Sequence, residues 1–306
     1  MSKTKLIDCF PYFNEKEILE LRIKLLYDYV DKFVITEANQ THSGLSKSFE
    51  CKKVLENIDD PLNKVMLVEI DYSKIPNINT AWGREHFQRD VVSDLLHYFD
   101  DDSIFYFGDC DEILNPVHIE WICSLVKQNP NYTLRIPLAF LNCRANLRVF
   151  NEDGKPVPWN CPFAVMKHHM SNNKPSTIRE FIAYYKERNT LNKYPDVVVT
   201  VNGEVSDLGW HFSWMGQNSD RVIKYKSYVH FSDFQTESTI NKISEYNPSE
   251  GSVDLLGRSD HILKEYDISL LPSIILENEN LRNYFLPGVK IKNKFEIIPG
   301  INVING

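Results

Sequence analysis

Apolar and polar positions alternate along the first half of the chain in two rhythms. Short apolar runs at "KLIDCF" (5–10), "KFVITEA" (32–38), "KVMLVEI" (64–70) and "SIFYFG" (103–108) read as strands. Between them, apolar residues recur at helical spacing. Ile18, Leu21, Leu25 and Leu26 share one face of a helix that Asn14 and Glu17 are expected to cap. Phe87, Val91, Val92, Leu95, Leu96 and Phe99 share one face of a helix over 82–99. A further helix is expected over 117–127, and a weaker helical segment near 51–58. Strand–helix alternation of this kind argues for a parallel sheet covered on both sides.

The second half changes character. "YTLRIPLAFLNCR" (132–144), "WNCPFAVMKHHM" (159–170) and "DVVVTVNG" (196–203) read as strands with long polar connections, which suggests added antiparallel strands continuing the same domain. Helical segments are expected near 219–228, 235–245, 258–265 and 270–284. No internal repeat, heptad or low-complexity linker breaks the chain. The expected architecture is one compact α/β domain over 1–306 with a C-terminal helical extension.

Composition narrows the classes. The chain has 306 residues, enough for a sizeable core, and a formal net charge of −8, which argues against a dedicated nucleic-acid binder. Six cysteines are dispersed without a CxxC pair, so a zinc site is not expected and reduced, buried thiols are. The start, "MSKTKLIDCFPYFNEKE", is expected to be neither a signal peptide nor a membrane anchor. No run approaches the ~18 apolar residues of a membrane-spanning helix. A soluble, cytoplasmic protein is expected.

The chemistry concentrates in "FYFGDCDEI" (105–113). Carboxylates directly after a buried strand are costly unless something pairs with them. A second acidic cluster, Asp100–Asp102, precedes the strand and sits at the opposite edge of a parallel sheet, where it is solvated. Asp109 and Asp111 follow the strand's C-terminal end, the edge at which open α/β sheets bind ligands. In an extended chain residues i and i+2 point the same way. Convergent carboxylates suit Mg²⁺ or Mn²⁺ that also takes phosphate oxygens. The plainer reading is an acidic turn capping the helix near 117.

Several stretches carry a resemblance: "DCFPYFNEKEILELRIKLLYDYVDKFVITEANQTHSG" (8–44), "WGREHFQRD" (82–90), "GDCDEI" (108–113), "GWHFSWMG" (209–216) and, more weakly, "LLPSIILENENLRNYFL" (270–286). In order and spacing they resemble glycosyltransferase family 17. The resemblance implies a GT-A-like fold, with a nucleotide-sugar-binding half at 1–130 and an acceptor half with the helical extension at 131–306. It also implies a UDP-sugar donor, with N-acetylglucosamine as the expected sugar. A divalent metal, Mn²⁺ or Mg²⁺, is implied at the DxD, together with a saccharide acceptor and inversion at the anomeric carbon. The chain is expected to depart from the family in having no N-terminal anchor, and it delays a proline to Pro116.

On that resemblance, Asp8, Asn14 and Glu37 lie at the strand edge that would hold the nucleoside, and Asp109 and Arg89 join them as donor-binding candidates. Asn14 has an N-cap and Glu37 a solvated strand end as plainer roles. Arg89 can pair with the acidic segment or with diphosphate. Arg84 is expected on a solvated helix face. His211 is the candidate third metal ligand beside Asp109 and Asp111, with His230 as the alternative. Gly209 and Gly216 suggest a tight, exposed turn around it. His168 and His169, adjacent in an expected strand, face opposite sides. Trp210 and Trp214 are candidates for stacking on a sugar or for the core. Asp207 is the candidate general base, with Glu204 and Asp233 behind it, and Glu112 is a second candidate catalytic carboxylate. Lys224 and Lys226 have assistance to the leaving diphosphate or a solvated helix face as their two readings. Two rival functions fit the same edge: a metal-dependent phosphohydrolase or nucleotidyltransferase, and a non-catalytic nucleotide-sugar-binding protein.

Overall fold

The computed structural model describes residues 5–171, 173–184, 196–198, 207–233 and 237–289. Its first sheet is seeded by β1 (Leu6–Tyr12), β2 (Lys32–Ala38), β3 (Val65–Ile70) and β4 (Ile104–Phe107), all parallel, in the order β3-β2-β1-β4. The four expected strands of the first half are therefore present. Helices α1 (Lys16–Leu26), α2 (Cys51–Leu55) and α3 (Ala81–Asp90) connect them. The expected 82–99 helix tightens after Asp90 into a 3₁₀ segment over Val91–Tyr98. α1 is capped differently from expectation: Glu15 is the N-cap residue, without a side-chain cap bond.

The strand β1 carries a proline in an otherwise central position. Cys9 faces β4, since its carbonyl accepts the Gly108 N–H. Pro11, two residues on, faces the same way but lies beyond the last β1–β4 pair, Cys9↔Phe107. No ladder bond is lost there, because β1 outruns β4. The gap opened by that overrun holds the acidic segment.

The chain then alternates between two sheets. After β5 (Glu112–Leu114) and α4 (Ile119–Gln128) come β6 (Thr133–Arg135), β7 (Leu138–Asn142), β8 (Leu147–Phe150) and β9 (Pro158–Trp159). They are followed by β10 (Phe163–Met166), α5 (Lys167–Met170), α6 (Pro175–Tyr184), β11 (Asp196–Val198) and β12 (Gly209–Ser213). The first sheet is completed by antiparallel β10 beside β4, then β6 and β11. The second sheet runs β13-β8-β7-β12-β5, with β9 on β7 and β13 at Ile262–Glu265. The expected strand over 132–144 thus divides at Pro137, and its two pieces join different sheets. The helices α7 (Asn218–Ser227), α8 (Glu237–Glu245), α9 (Ser273–Glu277) and α10 (Glu279–Phe285) complete the order. The architecture is α/β, with a mixed sheet flanked by helices.

Three local expectations are corrected. Residues 258–265 do not form a helix; Leu263 pairs with Val149 in antiparallel β13–β8 and is fully buried there. His168 and His169 lie in α5, not in a strand. "GWHFS" is a buried strand, not an exposed turn. Gly209 serves strand approach, since a Cβ there would lie 2.1 Å from the Ile113 carbonyl oxygen on β5. Residues 199–206, including Glu204, lie outside the described residues, as does the side chain of Asp233.

Candidate functional site

The acidic segment is a turn, not the extended chain that the i, i+2 argument assumed. The Glu112 N–H donates to the Asp109 carbonyl at 3.0 Å, and the Asp109 N–H donates to Glu112 Oε2 at 2.7 Å. Gly108 makes room for this: a Cβ there would meet Glu112 Oε2 at 3.0 Å. Beneath the turn, Arg22 of α1 donates through Nη1 to the carbonyls of Asp109 (2.6 Å) and Cys110 (3.0 Å). Its other edge grips Asp8 through Nε–Oδ2 at 2.9 Å and Nη2–Oδ1 at 2.6 Å, and its carbon lies 4.1 Å from the Phe10 ring centroid. Asp8, expected to touch a nucleoside, is instead enclosed and neutralised by Arg22. Glu112 is also fully buried, accepting from Trp159 Nε1 and from both Arg179 Nη atoms.

The turn displays two carboxylates in different surroundings. Asp109 is half-exposed; Oδ1 accepts from Arg89 Nη2 at 2.8 Å and Oδ2 from Arg179 Nη2 at 2.7 Å. Burial works to raise its pKa, but Arg179 and Arg89 outweigh it and hold the carboxyl well below the usual range. Asp111 is buried; its Oδ2 accepts from Lys224 Nζ at 2.7 Å, and its Oδ1 lies 3.6 Å from His211 Nε2. Burial pulls the Lys224 ammonium down, but Asp111 and Glu15 outweigh it and the net shift is upward, so Lys224 stays charged. Burial lowers the His211 pKa, against the opposing pull of Asp111 and Glu112, and favours the neutral imidazole. The His211 ring stacks on Phe140 at 5.2 Å and tilts against Trp159 at 4.3 Å.

These groups line a cavity of about 430 Å³ at the C-terminal edge of β1, β2 and β4. The second sheet closes it with Phe140, Trp159 and His211, while α3, α6 and α7 contribute Arg89, Arg179 and Lys224. Among the described residues, two buried polar atoms on this lining have no protein partner, Arg89 Nη1 and His211 Nδ1. Trp214 also lines it, with φ of 58°, a backbone region sparsely used by bulky residues.

The remaining candidates scatter. Asn14 is exposed and does not line the cavity. Glu37 is fully buried, accepting from Lys47 Nζ and from the Glu50 and Cys51 N–H groups at the start of α2, so it anchors the loop over 39–50. Asp207 pairs with both Nη atoms of Arg148, Oδ1 at 2.8 Å, and is not brought to the cavity. Arg84 is buried rather than solvated, its Nε donating to the His42 carbonyl at 2.9 Å. Trp210 is core, its Nε1 donating to the Leu270 carbonyl at 3.2 Å. His230 lines the cavity, 5.1 Å from Trp82.

Among the described residues, no group of three or more His, Cys, Asp or Glu side chains is placed to hold a metal ion. Each Asp109 oxygen accepts from one arginine, so Arg89 and Arg179 would flank any ion held there. Asp111 Oδ1 and His211 Nε2 face each other across 3.6 Å, and burial favours the neutral imidazole that a metal ligand requires. These two side chains would hold a hard divalent ion, Mg²⁺ or Mn²⁺, that also takes phosphate oxygens.

Residues 1–136 match the family model described as Glycosyltransferase family 17. No curated protein matches the chain. Among solved structures, one similar chain is 4-diphosphocytidyl-2C-methyl-D-erythritol synthase, at 10% identity and a TM-score of 0.38, covering 67% of this chain and 93% of that one. Among the described residues, no helix is long and apolar enough to cross a membrane.

Proposed function

We propose that this protein is a GT-A-type glycosyltransferase of the family-17 kind, moving a sugar from a UDP donor to a saccharide hydroxyl with inversion. N-acetylglucosamine is the sugar expected. The observation that carries the reading is the asymmetry of the two carboxylates at the sheet's ligand edge. Both Asp109 oxygens accept from arginines, whereas Asp111 pairs one oxygen with Lys224 and keeps the other toward His211. The family match over 1–136 contains this segment and supports the same reading.

In this account Asp111 and His211 would hold Mn²⁺ or Mg²⁺, which when bound supplies Lewis-acid stabilisation to the departing diphosphate. Arg89, whose Nη1 has no partner among the described residues, and Lys224 hold fixed positive charge toward the same anion. Arg22 and Asp8 keep the turn in place from below. The five buried free thiols support a reducing, cytoplasmic setting.

Calorimetry with UDP-N-acetylglucosamine tests the reading. Binding that strengthens with Mn²⁺ over EDTA is expected. Absence of binding to the protein under both conditions would overturn it.

A further inference from the structure

An inverting transfer needs a group that takes the acceptor's proton. The cavity is lined by the carboxylates Glu15, Glu85, Asp109, Asp111 and Glu180. Four of them are committed to cations. Glu15 lies 3.6 Å and Asp111 2.7 Å from Lys224 Nζ, Glu85 lies 2.6 Å from Arg89, and Asp109 accepts from two arginines. A carboxylate already held by a guanidinium or ammonium has less room to accept a hydroxyl proton. At Glu85, burial raises the pKa, yet Arg89 brings the net shift downward.

Glu180 differs. Its side chain is 45% exposed, and among the described residues no lysine or arginine pairs with it. Its contact is with an imidazole, His86 Nε2, at 3.2 Å from Oε1. It follows Arg179 directly on α6, so the helix that fixes Asp109 and Glu112 also sets Glu180 on the cavity wall.

Resting on the transferase reading above, we propose that Glu180 is the general base of this site. The acceptor hydroxyl gives its proton to a Glu180 oxygen while its own oxygen bonds to the anomeric carbon. The bond from that carbon to the diphosphate oxygen breaks, and its electron pair leaves with UDP. The protonated Glu180 then returns its proton to solvent. With water as acceptor the same step gives free sugar and UDP.

The test uses the full-length protein, UDP-N-acetylglucosamine and Mn²⁺, with water as acceptor. Glu180→Gln should slow UDP release ~10²-fold, the usual contribution of a general base, with donor affinity by calorimetry unchanged. Azide is an anionic nucleophile that needs no deprotonation, so added azide should restore UDP release in Glu180→Ala and yield the β-glycosyl azide. Undiminished release in Glu180→Gln, lost donor binding in that variant, or no azide rescue overturns the assignment. If the unaltered protein releases no UDP, it is the transferase reading that fails.

Discussion

Arg22 and Asp8 form a two-pronged ion pair sealed from solvent, and the same guanidinium holds the backbone of the acidic turn. A buried pair is weak evidence of net stabilisation, but removing one partner leaves an uncompensated buried charge. Asp8→Asn should therefore lower unfolding free energy by about 3–5 kcal/mol, read by urea denaturation. A loss below about 1 kcal/mol, the range of an exposed pair, would show that the pair is not sealed.

Asp111→Asn should abolish the Mn²⁺ dependence of UDP-N-acetylglucosamine binding and leave the circular dichroism spectrum unchanged. His211→Ala should raise the Mn²⁺ concentration required, and His230→Ala should not. Asp101→Asn serves as the contrast: it lies in the solvated turn before β4, paired with Lys167. Equal losses from Asp111→Asn and Asp101→Asn would contradict the distinction between the two edges of the sheet.

Asp207→Asn should leave UDP release and donor affinity unchanged. It removes half of a bidentate pair with Arg148 away from the cavity, so its effect is on stability, about 1–3 kcal/mol for a charged hydrogen-bonded partner. A turnover loss of tenfold or more at unchanged stability would return Asp207 to the chemistry.

His42 supplies a pH dependence. Burial lowers its pKa, against opposing contributions from Glu85, Gln88 and Asp109 and with Arg89. Between its folded value and about 6.5, the ordinary value, the unfolded chain binds more protons than the folded one. Stability therefore rises with pH across that window and levels off above it. Urea titrations from pH 5 to 8 should show a shallower rise for His42→Gln than for the unaltered protein. Parallel curves would remove His42 as a source.

The placement of "FYFGDCDEI" was legible because an apolar run followed by acids marks a strand's C-terminal end without any long-range information. The strands β1 to β4 were legible for the same reason: each is a local pattern. What was not legible are the partners. Arg22 reaches the Asp109 carbonyl across 87 positions, Arg179 reaches its carboxylate across 70, and Lys224 reaches Asp111 across 113. No local period encodes such pairings, and Arg179 sits in a segment, α6, whose strand or helix character the sequence reading did not assign. Lys224 was legible as a helix charge that either assists the leaving diphosphate or is solvated; the structure turns it onto Asp111. Asp207 is close to Gly209 in sequence, but its ion-pair partner, Arg148, lies on β8.

The most direct measurement follows UDP-N-acetylglucosamine by proton NMR in the presence of the protein and Mn²⁺, with water as acceptor. A metal-assisted inverting transferase releases UDP together with N-acetylglucosamine that appears first as the β anomer, and Asp111→Asn abolishes both signals. Appearance of UMP with N-acetylglucosamine 1-phosphate, or of the α anomer first, would contradict the account.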